Sequence, residues 1–251
     1  GVCEMVGMAV PEVYSAELSE FVFAAGVKLL ASMKPDLMYL STTDYVQHKY
    51  APSSKGANSF YKMMDGYLGR LDAQGAIVVI VADHGMKAKH LPSGEPDVIY
   101  LQDALDKSFG AGTTKVILPI TDPYVQHHGA LGSFATVYVK GISVEETSAF
   151  ISKQPGIDVV LDRAQGCARF ELPEDRMGDI IVVSGGSTGS KVIGTSRARH
   201  DLSGLNEPLR SHGGLTEQTI PVIVNRKTKN LPKPLRNFDA FFIGCNCIIE
   251  A

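Results

Sequence analysis

Cysteine is scarce in this chain, and the little present falls in no metal-binding pattern. Cys3, Cys167, Cys245 and Cys247 are the only four among 251 residues, and no CxxC pair occurs. Cys245-Asn246-Cys247 alone cannot build a zinc knuckle. Reduced thiols in a cytoplasmic protein are the expectation. Any metal site should then be built from histidine and carboxylate. Long apolar runs are missing too: none approaches the ~20 residues that a membrane-spanning helix needs. The net charge is only −3, so no broad electrostatic footprint for nucleic acid or an anionic membrane is present. No charged stretch followed by an apolar one opens the chain in the manner of a secretory signal. Internal repeats and low-complexity tracts are absent. The chain opens on Gly1 rather than Met, and a piece of a longer protein is the expectation.

Apolar residues are plentiful, at 44% of the chain, enough for one large domain or a domain with an insert. Helical spacing of Phe21, Phe23, Ala24, Val27, Leu30 and Ala31 predicts a helix over Ser19 to Met33, with Ser19 as its N-cap. Asp36 to Ser41 reads as a short buried strand. Pro52-Ser53-Ser54 restarts a helix running to about Leu71. The β-branched run Ala76 to Ala82 reads as a strand buried on both faces. Strand, helix and strand at this spacing predict a parallel βαβ unit. Asp44 and Asp83 would then lie at the same end of adjacent strands.

After Pro92 the texture changes. Asp97 to Ser108 and Val144 to Lys153 read as helices. Lys115 to Ile120, Gly132 to Val139, Ile157 to Leu161 and Gln165 to Phe170 read as short strands, which suggests an α+β insert. Asp179 to Val183 and Ile220 to Asn225 return to a strand pattern. The expected division is a metal-binding α/β core over residues 1–96, an α+β cap over 97–178 and a return to the core over 179–251. Ser184-Gly185-Gly186-Ser187-Thr188-Gly189-Ser190-Lys191 looks like a phosphate loop but lacks the spacing of one, and reads as a flexible turn.

Chemistry concentrates in three places. Asp83-His84-Gly85-Met86 follows a strand, where α/β sheets place their ligands. Asp44 and His48 are four apart, so one helical turn would aim both at one ion. His212 sits in the turn Ser211-His212-Gly213-Gly214. Three clusters of nitrogen and oxygen donors without thiols fit a two-metal site, with zinc first and manganese or iron as alternatives. Two ions ~3.5–4 Å apart suit displacement at phosphorus.

These motifs, Asp44-x-x-x-His48-x-x-x-Pro52, Asp83-His84-Gly85-Met86 and His212-Gly213-Gly214, resemble those of the alkaline phosphatase superfamily, in its nucleotide pyrophosphatase and phosphonate hydrolase branch. Ser41 to Tyr50, Tyr124 to Ser133, His200-Asp201-Leu202 and Leu209 to Gly214 narrow the likeness to the phosphonoacetate hydrolases of that branch. The likeness runs from about Tyr14 to Arg226. It implies an alkaline-phosphatase-like α/β core, with a parallel sheet flanked by helices and an inserted α+β cap. It implies a dizinc hydrolase that cleaves the carbon–phosphorus bond of phosphonoacetate to acetate and phosphate. Matched residue by residue, Asp44, His48 and His212 would hold one zinc, and Asp83 and His84 part of the other. His48 and His212 would also sit beside the substrate.

In the family an Asp and a nucleophilic Thr complete the second zinc site, and lysines grip the substrate. No region here matches that part, so no catalytic nucleophile is assigned. The expected partner is a small-molecule phosphonate, with no nucleic acid and no membrane, and a homodimer is left open. His127 and His128 are read either as a lid contact or as a structural turn. Arg210 either orients the His212 loop or is a surface arginine. His90 and His200 are left without a site role. Two other activities stay open: a phosphodiesterase or nucleotide pyrophosphatase of the same superfamily, and a metal-binding piece without catalysis.

Overall fold

The computed structural model describes residues 1–120, 129–185, 191–200, 202, 205 and 207–249. It is an α/β protein whose chain divides into two units, Gly1–Asp83 with Ile220–Ala251, and His84–Thr219.

In the first unit the helix Ala16–Met33 packs against the helix Lys55–Ala73. Phe23 stacks on Tyr67 with ring centroids 6.3 Å apart, and the Tyr67 hydroxyl donates to Glu20 Oε1 at 3.0 Å. The first helix starts a turn earlier than its apolar spacing predicts. Its N-cap is Ser15, and Ser19 is buried inside it. Lys55–Ala73 begins as expected, with the Ser54 hydroxyl accepting the Ala57 N–H at 3.3 Å.

The expected strand over Asp36 to Ser41 does not form: these residues join no ladder. Leu40 instead inserts over Gly26, where a Cβ would stand 2.6 Å from its Cδ1, while Leu37 and Tyr39 face outward. The segment satisfies apolar contacts without pairing its backbone. The run Ala76 to Ala82 contributes only Val79–Val81 to a strand, half-buried throughout. It pairs antiparallel with Val222–Val224, in the register Val79↔Val224 and Val81↔Val222. The parallel pairing expected for it is therefore replaced.

Asn225 fixes this ribbon. Its amide accepts the Val78 N–H at 2.8 Å, and donates to Asp72 Oδ1 at 2.8 Å and to the Ala76 carbonyl at 2.9 Å. Asp72 also takes the Arg226 guanidinium, which holds its carboxyl below the usual range. The end of a helix, the loop after it and a strand are thus tied together just upstream of Asp83.

The second unit is built on a four-stranded antiparallel sheet, in the order Thr114–Ile117, Phe134–Val139, Ile180–Ser184, Ile157–Asp162. Alternation along Ile180–Ser184 assigns its side chains to two faces. Ile180 and Val182 join a core with Leu101, Leu105, Val137 and Ile151, from the helices Leu101–Phe109 and Val144–Ile151 and the neighbouring strand. On the other face Ile181 fits against Gly166, whose absent Cβ would lie 2.4 Å from Ile181 Cδ1. Covered on both sides, Ile180–Ser184 is buried along its whole length. It is the strand expected over Asp179 to Val183, and it carries the sheet beyond residue 178.

Gln165 to Phe170 is not a strand but part of the helix Arg163–Phe170. Asp162 caps it by accepting the Gln165 N–H at 2.8 Å. Small Gly166 and Cys167 let the helix lie close on the sheet. A parallel pair does occur in this unit, Val98–Tyr100 with Val192–Gly194, so the helix expected from Asp97 starts only at Leu101. Lys87–Ala88 pairs antiparallel with Arg210–Ser211. All four cysteines are free. Among the described residues no helix is long and apolar enough to cross a membrane.

Candidate metal centre

The first donor pair is local. Asp44 precedes the single-turn helix Tyr45–Lys49, and the His48 N–H donates to the Asp44 carbonyl at 3.0 Å. That turn brings the side chains together, as the i, i+4 spacing predicts, with His48 Nε2 3.0 Å from Asp44 Oδ2. Two donors on one tetrahedral zinc, each ~2.0–2.2 Å from it, would stand at a similar separation. His48 is buried and Asp44 half-buried. Behind them the Tyr50 ring lies over Gly56, where a Cβ would be 2.6 Å from ring carbons. The backbone approach that seats the single-turn helix on Lys55–Ala73 thus depends on a glycine.

Asp83 is exposed, two residues beyond Val79–Val81, and ends the first unit. His84 begins the second. Its Nδ1 lies 3.0 Å from the Gly85 carbonyl. An Nδ1–H donated there leaves the lone pair on Nε2, the arrangement that metal-binding histidines commonly use. The His84 ring stacks on His212, with centroids 3.6 Å apart and planes within 10°. These two histidines are 128 positions apart, and no local pattern could have joined them. Asp44 and His48 are therefore brought together in one unit, and His84 and His212 in the other. Nitrogen and carboxylate donors without thiols suit a borderline or hard divalent ion.

Arg210 lies half-buried in the strand that leads to His212. The readings of His127 and His128, of residues 186–190 in the Ser184–Lys191 segment, and of Asp201 lie outside the described residues. A cavity of about 590 Å³ in the second unit is lined by Leu118, Phe134, Phe170, Leu172 and Met177, and reaches Gly213. Its mostly apolar wall makes it a poor seat for a small polyanion.

His200 has a structural role. Its Nε2 accepts the Thr195 N–H at 3.0 Å, and its Nδ1 lies 3.2 Å from the Gly129 carbonyl. Burial lowers its pKa; the Gly129 carbonyl opposes the shift and Arg199 adds to it. The unfolded chain therefore takes up this proton more readily than the folded one. The stability from neutral His200 is complete above about pH 6.5 and is lost as pH falls through the lower folded value. Denaturant midpoints measured from about pH 7.5 to about pH 5 should fall less steeply in His200→Gln than in the parent. Equal slopes would assign the acid sensitivity elsewhere.

Asp44 and His48 in one unit, and His84 and His212 in the other, stand at helix and strand ends of an α/β fold. Residues 16–214 match the model of the type I phosphodiesterase / nucleotide pyrophosphatase family, and the chain belongs to that family. It is similar to the phosphonoacetate hydrolase of Sinorhizobium meliloti 1021, solved in complex with phosphonoacetate and with phosphonoformate. The identity is 62% and the TM-score 0.90, over 96% of this chain and 58% of that one. This chain thus spans 58% of the length of that hydrolase. The fold is shared more distantly with murine and human ectonucleotide pyrophosphatase / phosphodiesterase 5. Both are 17% identical, with TM-score 0.55, over 87% of this chain and 55% of theirs.

Proposed function

We propose that this chain is the zinc-binding part of a hydrolase that splits the carbon–phosphorus bond of phosphonoacetate into acetate and phosphate. The observation that carries this reading is 62% identity, across 96% of the chain, to a phosphonoacetate hydrolase solved with phosphonoacetate. In the proposed assignment Asp44, His48 and His212 hold one zinc, and Asp83 and His84 supply part of a second site. Manganese or iron are the alternative ions. Bound zinc would neutralise phosphonate oxygens and lower the pKa of an attacking hydroxyl.

The chain's own residues bind and orient. The turn Tyr45–Lys49 sets His48 and Asp44 at a common point. The Gly85 carbonyl fixes which nitrogen of His84 carries the lone pair. His48 and His212 would flank the phosphonate. The substrate's own carboxylate takes up the negative charge left on carbon, as an enolate-type dianion. Fixed positive charge near that carboxylate would supply much of the rate. We place the protein in the cytoplasm, with a homodimer as the assembly to test by light scattering.

A second reading is favoured by the family match itself: hydrolysis of a phosphodiester or a nucleotide pyrophosphate. The test compares phosphate release from phosphonoacetate with cleavage of a nitrophenyl phosphodiester. It uses the 251-residue chain and a protein extended to the length of the similar hydrolase. The extended protein should prefer phosphonoacetate, lose activity to a chelator and regain it best with zinc. Preference for the diester would replace the first reading with the second. Turnover by the 251-residue chain alone would place a nucleophile within it.

A further inference from the structure

Lys89 is completely buried, and so is Ser133; Glu217 is 3% exposed. Charged residues seldom reach this depth unless paired. The Lys89 ammonium donates to Ser133 Oγ at 2.9 Å and to Glu217 Oε2 at 3.3 Å. Its partners hold the backbone of the histidine turns, Glu217 both of them and Ser133 that of His212. Glu217 Oε2 accepts the Gly214 N–H at 2.7 Å, two residues past His212. The Glu217 carbonyl accepts the Gly85 N–H at 2.6 Å, one residue past His84. The Ser133 N–H donates to the His212 carbonyl at 2.8 Å. Thr216 Oγ1 occupies Glu217 Oε1 at 2.6 Å.

The cluster is closely packed against three glycines. A Cβ on Gly185 would stand 2.9 Å from Lys89 Nζ, and one on Gly214 would stand 2.7 Å from Glu217 Oε2. Gly213 takes φ 97°, which favours glycine, and a Cβ there would press on the Ser133 nitrogen at 3.2 Å. Burial pulls the Lys89 pKa down and Glu217 draws it back up.

We propose that Lys89, Glu217 and Ser133 form a buried positioning cluster that sets the His84 and His212 turns in register, so that the two imidazoles present their nitrogens to metal as a fixed pair. The proposal rests on the reading of His84 and His212 as metal ligands. Glu217 is its centre, since one residue holds both turns. Its side-chain oxygen takes Gly214, and its main-chain oxygen takes Gly85. Lys89 supplies the charge that keeps a carboxylate at this depth, and Ser133 ties that charge to the His212 backbone. Supporting groups of this kind typically change metal affinity 10–100-fold when removed.

Two double variants test it in the full chain, both without buried charge and so both suited to folding. Lys89→Met with Glu217→Met removes the acceptor for Gly214, whereas Lys89→Met with Glu217→Gln keeps one. The first readout needs no metal: the imidazole proton shifts of His84 and His212, displaced by each other's ring current. The second is zinc affinity by chelator competition. The methionine pair should lose the mutual shift and bind zinc about 10–100-fold more weakly, while the glutamine pair stays within a few-fold of the parent. Equal shifts and equal affinities in the two variants would overturn the positioning role and leave the metal reading intact. Shifts that respond as expected in a chain that binds no zinc at all would overturn the metal reading and leave the positioning role.

Discussion

Lys89→Met alone should destabilise the chain by about 3–5 kcal/mol, the penalty of stranding one member of a buried ion pair. The methionine fills the volume of the lysine stem, so the loss comes from Glu217, left buried with no counter-charge. Stability of ordinary proteins is only about 5–15 kcal/mol, so a shift of this size should be plain in denaturant midpoints. Adding Glu217→Gln should recover most of it, because a neutral amide needs no counter-charge and still accepts the Gly214 N–H. A single variant as stable as the parent would mean that water reaches Glu217, against its 3% exposure. This measurement reads the depth of the pair and is separate from its effect on the histidines.

His212→Ala should abolish tight zinc binding by the chain, with affinity falling at least ~100-fold, beyond the range for supporting groups. In the proposed assignment His212 is one of three protein ligands of the more complete site, and zinc held by two protein ligands is no longer a stable tetrahedral centre. Competition with a coloured chelator gives both affinity and stoichiometry. His200→Gln serves as the control and should bind as the parent does, since His200 bonds only to Thr195 and Gly129 among the described contacts. A few-fold effect at His212 would remove it from the ligand set. The expected loss exceeds what the positioning cluster produces, which orders the two kinds of residue.

What the sequence disclosed follows the reach of each interaction. Asp44 and His48 were legible because a single helical turn is a local event and four residues define it. His84 and His212 were legible as separate motifs, but their stacking was not. It depends on Gly85 meeting Glu217 across more than 120 positions of chain, while Gly214 meets the same residue locally. Asp36 to Ser41 has the composition of a strand, yet a strand needs a partner, and composition says nothing of partners. Val79–Val81 was found, with the wrong neighbour, for the same reason. Arg163–Phe170 did carry a local sign: Asp162 with Gln165 three residues on is a capping pattern, and the small residues after it obscured the helix. Lys89 and Glu217 carried none, because charged side chains are read as surface until a fold shows otherwise.

The scarcity that opens this sequence, of cysteine and of long apolar runs, has a counterpart inside the fold. Around Lys89 and Glu217 the decisive atoms are the ones not there. Gly185, Gly213 and Gly214 leave room that a methyl group would fill, with approaches of 2.7–3.2 Å. A side chain at Gly185 or Gly214 would therefore have to push aside the atoms that hold the histidine turns, although none of the three glycines has a side chain to bring to the reaction.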